Sequence, residues 1–241
     1  MKAEYIDHMG DDLTVVNAAR VSFENESWYI NEDYVPPKNS KHFEAWYEYA
    51  QRVVSIGSPT LSVKDFGLIH YLANHGHWTP TAHPQIQLRM KAPVPIRTQC
   101  FKHKSGFVEN EESRRYIKST PELFVPESFR SAPESAKQGS GGTHPHSTLW
   151  KAVYEDYCQD MIKLYEEMIE DEVAPEQARF VLPQGVQVQW VWTGSLAAFA
   201  RFYNQRTDSH AQGEAQELAH EVGRIVAPLF PVSWRALTDG N

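Results

Sequence analysis

Cysteine is almost absent: Cys100 and Cys158 are the only two in 241 residues. So few exclude a disulfide framework and suit a reducing, cytoplasmic compartment. No apolar run approaches the length of a bilayer span, and the opening stretch MKAEYIDHMG lacks the apolar centre of a secretory signal. Neither a membrane partner nor export is therefore expected. Positive charge is in deficit as well. A formal net charge of -8 argues against a nucleic-acid partner, because such binding needs a basic face. Common nucleotide loops are missing too. There is no phosphate-loop signature and no GxGxxG after a strand, and the GSGG at 139–142 is not followed by Lys-Ser or Lys-Thr, so it reads as a flexible loop.

What is present is the material of a globular core. Hydrophobic residues make up 41% and charged residues 22%, and this length buries a sizeable interior. AEYIDHM reads as a first strand, and DDLTVVNAARVSF as a helix opened by its aspartates. Residues 24–40 are rich in turn formers. Phe43, Trp46, Tyr47, Ala50, Val53 and Val54 then recur at helical spacing, and a further helix over SVKDFGLIHYLANHG is stopped by Gly76. QIQLRMK and GVQVQWVWTG alternate as half-buried strands, the second with Val186, Val188, Trp190 and Trp192 on one face.

Between these strands, PVPIRTQCFKHK starts a helix at its prolines. The segment after it reads as a loop ending in a short strand near Tyr116, and residues 120–146 as a mobile surface loop. Leu149, Val153, Tyr157, Met161, Leu164 and Met168 mark the apolar stripe of a long amphipathic helix. Two more helices follow, over SLAAFARFYNQR and AQGEAQELAHEVGRIVAPLF. With no repeat and no linker, the pattern is that of one α/β domain.

Four groups of residues carry possible chemistry. KHKSGFVENEESRRY, residues 102–116, sets Lys102, His103 and Lys104 at one end and Arg114 and Arg115 at the other, with Ser113 between. Arg forks and Lys point charges suit phosphate oxygens, so the segment reads either as a small-anion site or as a solvated charged loop. In NQRTDSHAQGE, residues 204–214, Ser209 and Gln212 have the form of a helix capping box. A helix start also offers free N–H groups to an anion, with Arg206 and His210 beside it. His70, His75, His77 and His83 offer imidazoles but no recognised zinc spacing, and helix-end hydrogen bonding is the blander reading, so no metal is expected. Cys100 is either a nucleophile activated by the neighbouring cations or a small buried hydrophobe, and the second is favoured.

Taken in order, these segments resemble the flavin-dependent thymidylate synthases. That family carries an RHR…NExSxRY signature, to which KHK at 102–104 and NEESRRY at 110–116 correspond. ARVSF at 19–23, HGHWTP at 75–80, KAP at 91–93, ARFVLP at 178–183 and RTDSHAQ at 206–212 match in the family's order. The main extra material lies at 24–60, so the chain reads as a single domain over 1–241 with an insertion there. The resemblance implies an α/β (α+β) fold, a curved and mainly antiparallel sheet flanked by helices, in a homotetramer whose active sites are shared between subunits. It implies an FAD-dependent methyltransferase that moves a one-carbon unit from methylenetetrahydrofolate to dUMP, forming dTMP, with NADPH as reductant.

Carried over by position, Gln99, Glu111, Ser113, Arg114, Arg115 and Arg179 correspond to dUMP-binding residues. Arg206 corresponds to the arginine that polarises the uracil. His77, Thr79, Lys102, His103, Lys104, Glu111, Ser195 and His210 correspond to the flavin side. The chain departs from the family where Lys102 and Lys104 replace arginines and Gly213 replaces a common tryptophan. Ser195, Ala197 and Arg201 stand where other members often have polar flavin contacts. Those changes lie on the flavin and folate side. They leave open a related reaction, hydroxymethylation of dUMP or dCMP, in which water completes the one-carbon unit.

Overall fold

A computed structural model describes residues 1–31, 33–55, 57–133 and 139–239. Four strands, β1 (Lys2–Met9), β2 (Gln85–Pro93), β3 (Phe107–Glu111) and β4 (Gln187–Ser195), form an open sheet in the order β1-β2-β4-β3. Every neighbouring pair is antiparallel. The alternation expected for β2 and β4 is realised. Ile86, Leu88 and Met90 on one strand and Val188, Trp190 and Trp192 on the other are buried on the same face. The opposite face is polar, with Gln87 donating to Thr193 Oγ1 across the ladder at 3.0 Å. A register shift between Tyr5 and Asp7 bends the edge strand β1.

Helices α1 (Asp12–Arg20), α2 (Phe43–Ser55) and α3 (Val63–Asn74) precede β2, and α4 (Val94–Cys100) follows it. Asp11 caps α1 in a box with Thr14, as the paired aspartates predict. Gly76, at φ +66°, ends α3 in the left-handed conformation that a side chain resists. The 24–60 segment is not a mere surface addition, because α2 buries Trp46, Tyr49 and Val53. Trp46 Nε1 donates to Leu61 O at 2.8 Å, and Tyr49 packs on Phe66. After β3 come α5 (Ser147–Glu170) and the short α6 (Pro175–Ala178). Beyond β4 lie α7 (Leu196–Thr207), α8 (Gly213–Leu229) and α9 (Ser233–Thr238). Phe199 and Phe202 of α7 close the core over Trp192, with Leu218, Val222 and Val226 of α8 in the same cluster.

Three local expectations are corrected. The short strand lies at Phe107–Glu111, not near Tyr116, and Ser113–Tyr116 forms a turn. Pairing with β4, and the stack of Phe107 on Trp192 at 4.1 Å, decide this from outside the segment. Ser209 does not cap α8. The cap position is Gln212, and the Asp208 carboxylate instead accepts the His210 N–H at 2.8 Å and tightens the turn before it. The apolar stripe expected on α5 points the other way: Leu149, Tyr157, Met161 and Leu164 are exposed, while Cys158, Ile162 and Tyr165 face inward. The loop at 120–146 contains no helix or strand among its described residues. It is tied down by bridges from Leu123 to Val186 and from Arg130 to Thr143. Its residues 134–138 lie outside the described residues.

One buried carboxylate joins the two ends of the chain. Asp12 accepts the N–H groups of Val232 at 2.8 Å and Ser233 at 2.9 Å, and burial pushes its pKa up to about 6. Asp12→Ala strands both donors in the core, at a cost of about 3 kcal/mol. A fall in Tm of roughly 6–12 °C is expected, against a smaller fall for Asp12→Asn, which keeps an acceptor. Thermal denaturation of the three proteins checks this, and equal Tm values for Asp12→Ala and wild type would refute it.

Candidate active site

Helix α4 ends at Cys100, and the turn after it is folded back on α7. The guanidinium of Arg206, in the last turn of α7, does the folding. Its Nε donates to His103 Nε2 at 3.0 Å, its Nη1 to Gln99 Oε1 at 3.3 Å and its Nη2 to Gln99 O at 3.2 Å. Arg206 and Phe202 sit one helical turn apart, so the same face that presents the guanidinium sets Phe202 edge-on against the His103 ring at 5.1 Å. An arginine only donates, so His103 accepts through Nε2 and carries its proton on Nδ1. Burial first, then Arg206 and Arg201, lower the His103 pKa to about 4, and the imidazole is neutral at pH 7. Among the described residues Arg206 has no carboxylate partner. A half-buried cation held by two neutral side chains keeps its charge for a ligand.

Arg201 reaches back from α7 to Ser105 O in the same turn. Gly106, at φ +79°, makes the close approach possible: a Cβ there stands 3.0 Å from Ala198 Cβ and 3.1 Å from Ser195 Oγ. Ser195 is buried, and its Oγ caps α7 by accepting from Ala198 N at 3.2 Å. Beside this turn opens a cleft of about 440 Å³ lined by Trp78, Phe107, Ser195 and Arg201. Trp78 is exposed, as are its neighbours His77 and Thr79. Lys102 and Lys104 are exposed, and Lys104 pairs with Glu109 and lies over the Phe101 ring.

A third grouping follows β3. Glu111 pairs with Arg97 at 3.2 Å; burial raises its pKa against the pull of that guanidinium. Ser113 opens the turn that carries the arginines, its Oγ accepting the Arg115 N–H at 3.4 Å. Arg115 pairs with Glu176 Oε2 at 2.8 Å, and Arg179 Nε donates to the backbone oxygen of the same residue at 3.2 Å. Two guanidiniums far apart in sequence thus meet at Glu176. Arg114 does not join them and instead bonds Ser119 O. His210 stays apart on an exposed turn with Asp208 at 2.9 Å.

Sequence reasoning missed Arg97, Arg130, Glu176 and Glu214, each of which holds a candidate residue or one of its partners. Glu214 stands inside the 204–214 stretch; Arg130 and Glu176 lie singly in polar segments and give no local signal. Cys100 is buried with its thiol pKa pushed up to about 12, which removes it as a nucleophile. A cavity of about 800 Å³ between α1, α2, α8 and α9 contains none of the candidate residues. Its acids are occupied internally: Asp12 as described, Asp11 by Thr14 and Tyr29, and Asp239 by Arg235.

A family model described as Thymidylate synthase complementing protein matches residues 4–232. The flavin-dependent thymidylate synthase of Thermosipho africanus is 32% identical over 96% of this chain and 88% of its own length. That of Thermotoga neapolitana is 31% identical over 97% and 88%. Among solved structures, the UMP/dUMP methylase PolB from Streptomyces cacaoi, bound with 5-Br dUMP, shares the fold. Its TM-score is 0.75 at 24% identity, covering 98% of this chain and 93% of that one. With Gln99 and His103 gathered on Arg206 and the match running nearly end to end, the chain belongs to the flavin-dependent thymidylate synthase family.

Proposed function

We propose that this protein converts dUMP to dTMP with FAD as cofactor, methylenetetrahydrofolate as one-carbon donor and NADPH as reductant. The observation that carries the reading is Arg206, a fixed cation with only neutral partners. Placed beside a pyrimidine, it stabilises negative charge on the ring and makes the 5-carbon more nucleophilic. Gln99, next to it, reads the base. Arg115, Arg179 and Ser113 hold the phosphate, which displaces the exposed Glu176 carboxylate from Arg115. Glu111 orients the strand end between the two halves of the site.

The residues of the cleft fit a flavin. The Trp78 and Phe107 faces suit a flat ring, and Arg201, with Lys102 and Lys104 on the adjoining turn, suits a pyrophosphate. His77, Thr79, His103 and Ser195 complete that side, while His210 stands apart from it on this chain. When bound, FAD supplies the hydride that finishes the methyl group. The chain's own part is to hold the nucleotide, keep His103 neutral and fix the cation. Buried Cys100 takes no covalent role.

The assembly we propose is a homotetramer with shared sites, built from the whole chain as one domain with its 24–60 insertion. The outward face of α5, with Leu149, Trp150, Tyr157, Met161 and Leu164, is a large apolar surface suited to a second copy. Candidate residues His77, Thr79, Arg115, Arg179 and His210 lie open on a single chain, as expected if a neighbour closes the site. Two free cysteines suit the cytoplasm. No helix among the described residues is long and apolar enough to cross a membrane.

The test is the mass of the nucleotide product after incubation with FAD, NADPH, methylenetetrahydrofolate and dUMP. A methyl increment is expected. A hydroxymethyl increment moves the assignment to the second reading, hydroxymethylation. Unchanged dUMP under all conditions rejects the proposal.

A further inference from the structure

Gln99 is oriented by a chain of hydrogen bonds that runs away from the candidate site. Its Nε2 donates to Gln212 Oε1 at 2.6 Å, and Gln212 Nε2 donates to Glu214 Oε2 at 2.9 Å. Glu214 is buried at 8% exposure and is gripped by Arg130 Nη2, at 2.8 Å to Oε1 and 2.6 Å to Oε2. Arg130 is fixed in turn by Ser140 Oγ at 2.7 Å. Burial pulls the Glu214 pKa upward, but Arg130, its own N–H and Gln212 together bring it below the usual value, so the group is a carboxylate.

The chain therefore has a direction. At one end stands a carboxylate, which only accepts; at the other stands the Arg206 guanidinium, which only donates. Two amides lie head to tail between them. Turning either amide over puts an NH2 group against the Arg206 donors or an oxygen against the Glu214 carboxylate.

We propose that Arg130, Glu214 and Gln212 are positioning residues that lock the Gln99 amide oxygen beside Arg206 and thereby set preference for uracil over cytosine. This rests on the placement of dUMP at Gln99 and Arg206. Guanidinium donors beside an amide oxygen complement a ring that offers carbonyl oxygens and an N3–H. Cytosine offers an unprotonated N3 and an amino group, which leaves donors facing donors and an unpaired acceptor. Turning the Gln99 amide would reverse that choice, and Glu214 prevents the turn.

The test measures the Kd of dUMP and of dCMP on the FAD-loaded protein by titration calorimetry, with the flavin absorbance spectrum as a check of the adjacent site. Glu214→Gln can donate or accept and so removes the directional end. Gln212→Met, at an exposed position, cuts the chain and leaves the Arg130–Glu214 pair intact. Each is expected to lower the dUMP-over-dCMP affinity ratio about tenfold, with an unchanged flavin spectrum. The double variant is expected to fall no further, because the two act as one unit. Arg130→Lys, which keeps a cation on Glu214, is expected to retain most of the ratio. Wild-type ratios in both single variants overturn the inference while leaving the proposed function standing. Gln212→Met decides alone if Glu214→Gln does not fold. A wild-type protein with no preference for dUMP rejects the proposed function and the inference together.

Discussion

Arg206→Ala lowers kcat on dUMP by about 10²–10³, the loss seen when one preorganised donor is removed from developing negative charge. The effect is expected to fall on turnover more than on nucleotide affinity, because the phosphate site proposed at Arg115 and Arg179 is separate from Arg206. Arg206→Lys is expected to recover only part of the rate. An ammonium keeps the charge but not the planar fork, which contacts His103 Nε2, Gln99 Oε1 and Gln99 O together. Single-turnover measurement at saturating dUMP isolates the step. A kcat within twofold of wild type for Arg206→Ala would remove the arginine from the chemistry.

His103 sharpens the same expectation. Its depressed pKa leaves a lone pair on Nε2 for Arg206 throughout the neutral range. Protonation would set an imidazolium against the guanidinium. Because the folded-state value lies below the unfolded one near 6.5, the unfolded chain binds the extra proton as pH falls between about 6.5 and 4. Stability contributed by neutral His103 is complete above that window and is lost through it.

The parts of this arrangement that were legible in sequence are those fixed by local periodicity. Ile86, Leu88 and Met90, and Val188, Trp190 and Trp192, alternate because one face of the sheet is covered and the other is not. Arg206, Gln99 and His103 were each singled out, yet their meeting was not derivable, since Arg206 lies more than a hundred residues from the other two and is joined to them by the packing of α7 against the turn after α4. The Ser113–Tyr116 turn was misread as strand because β4, not the segment itself, decides where pairing stops. On α5 the apolar stripe was legible, but it lies outward at Leu149, Tyr157, Met161 and Leu164, and Cys158, Ile162 and Tyr165 face the interior. Hydrophobic spacing locates an apolar face without saying whether its own chain or a second copy covers it. Arg130 and Glu176 left no trace at all, because a charged residue in a polar loop or a one-turn helix has no period to break.

Trp192→Ala is the largest expected loss of stability. Trp192 is fully buried, stacks on Phe107 at 4.1 Å and meets Phe199 and Phe202 edge-on at 5.4 and 5.0 Å. Truncating a buried tryptophan costs about 3–5 kcal/mol through lost contact and residual cavity, and Tm falls by roughly 6–20 °C. Trp192→Phe is expected to cost far less than truncation. It keeps a ring in the stack and deletes a buried Nε1–H that has no partner among the described residues. The two variants also separate folding from function, because Phe202 is the ring against which His103 rests. Measured well below its transition, Trp192→Ala is expected to show a lowered kcat, as a loosened Phe202 frees His103 from its contact with Arg206, at the proposed base site. If denaturant titration shows the stability loss while kcat at low temperature stays at the wild-type value, the aromatic stack supports the fold alone, and the His103–Arg206 contact is held by hydrogen bonding without it.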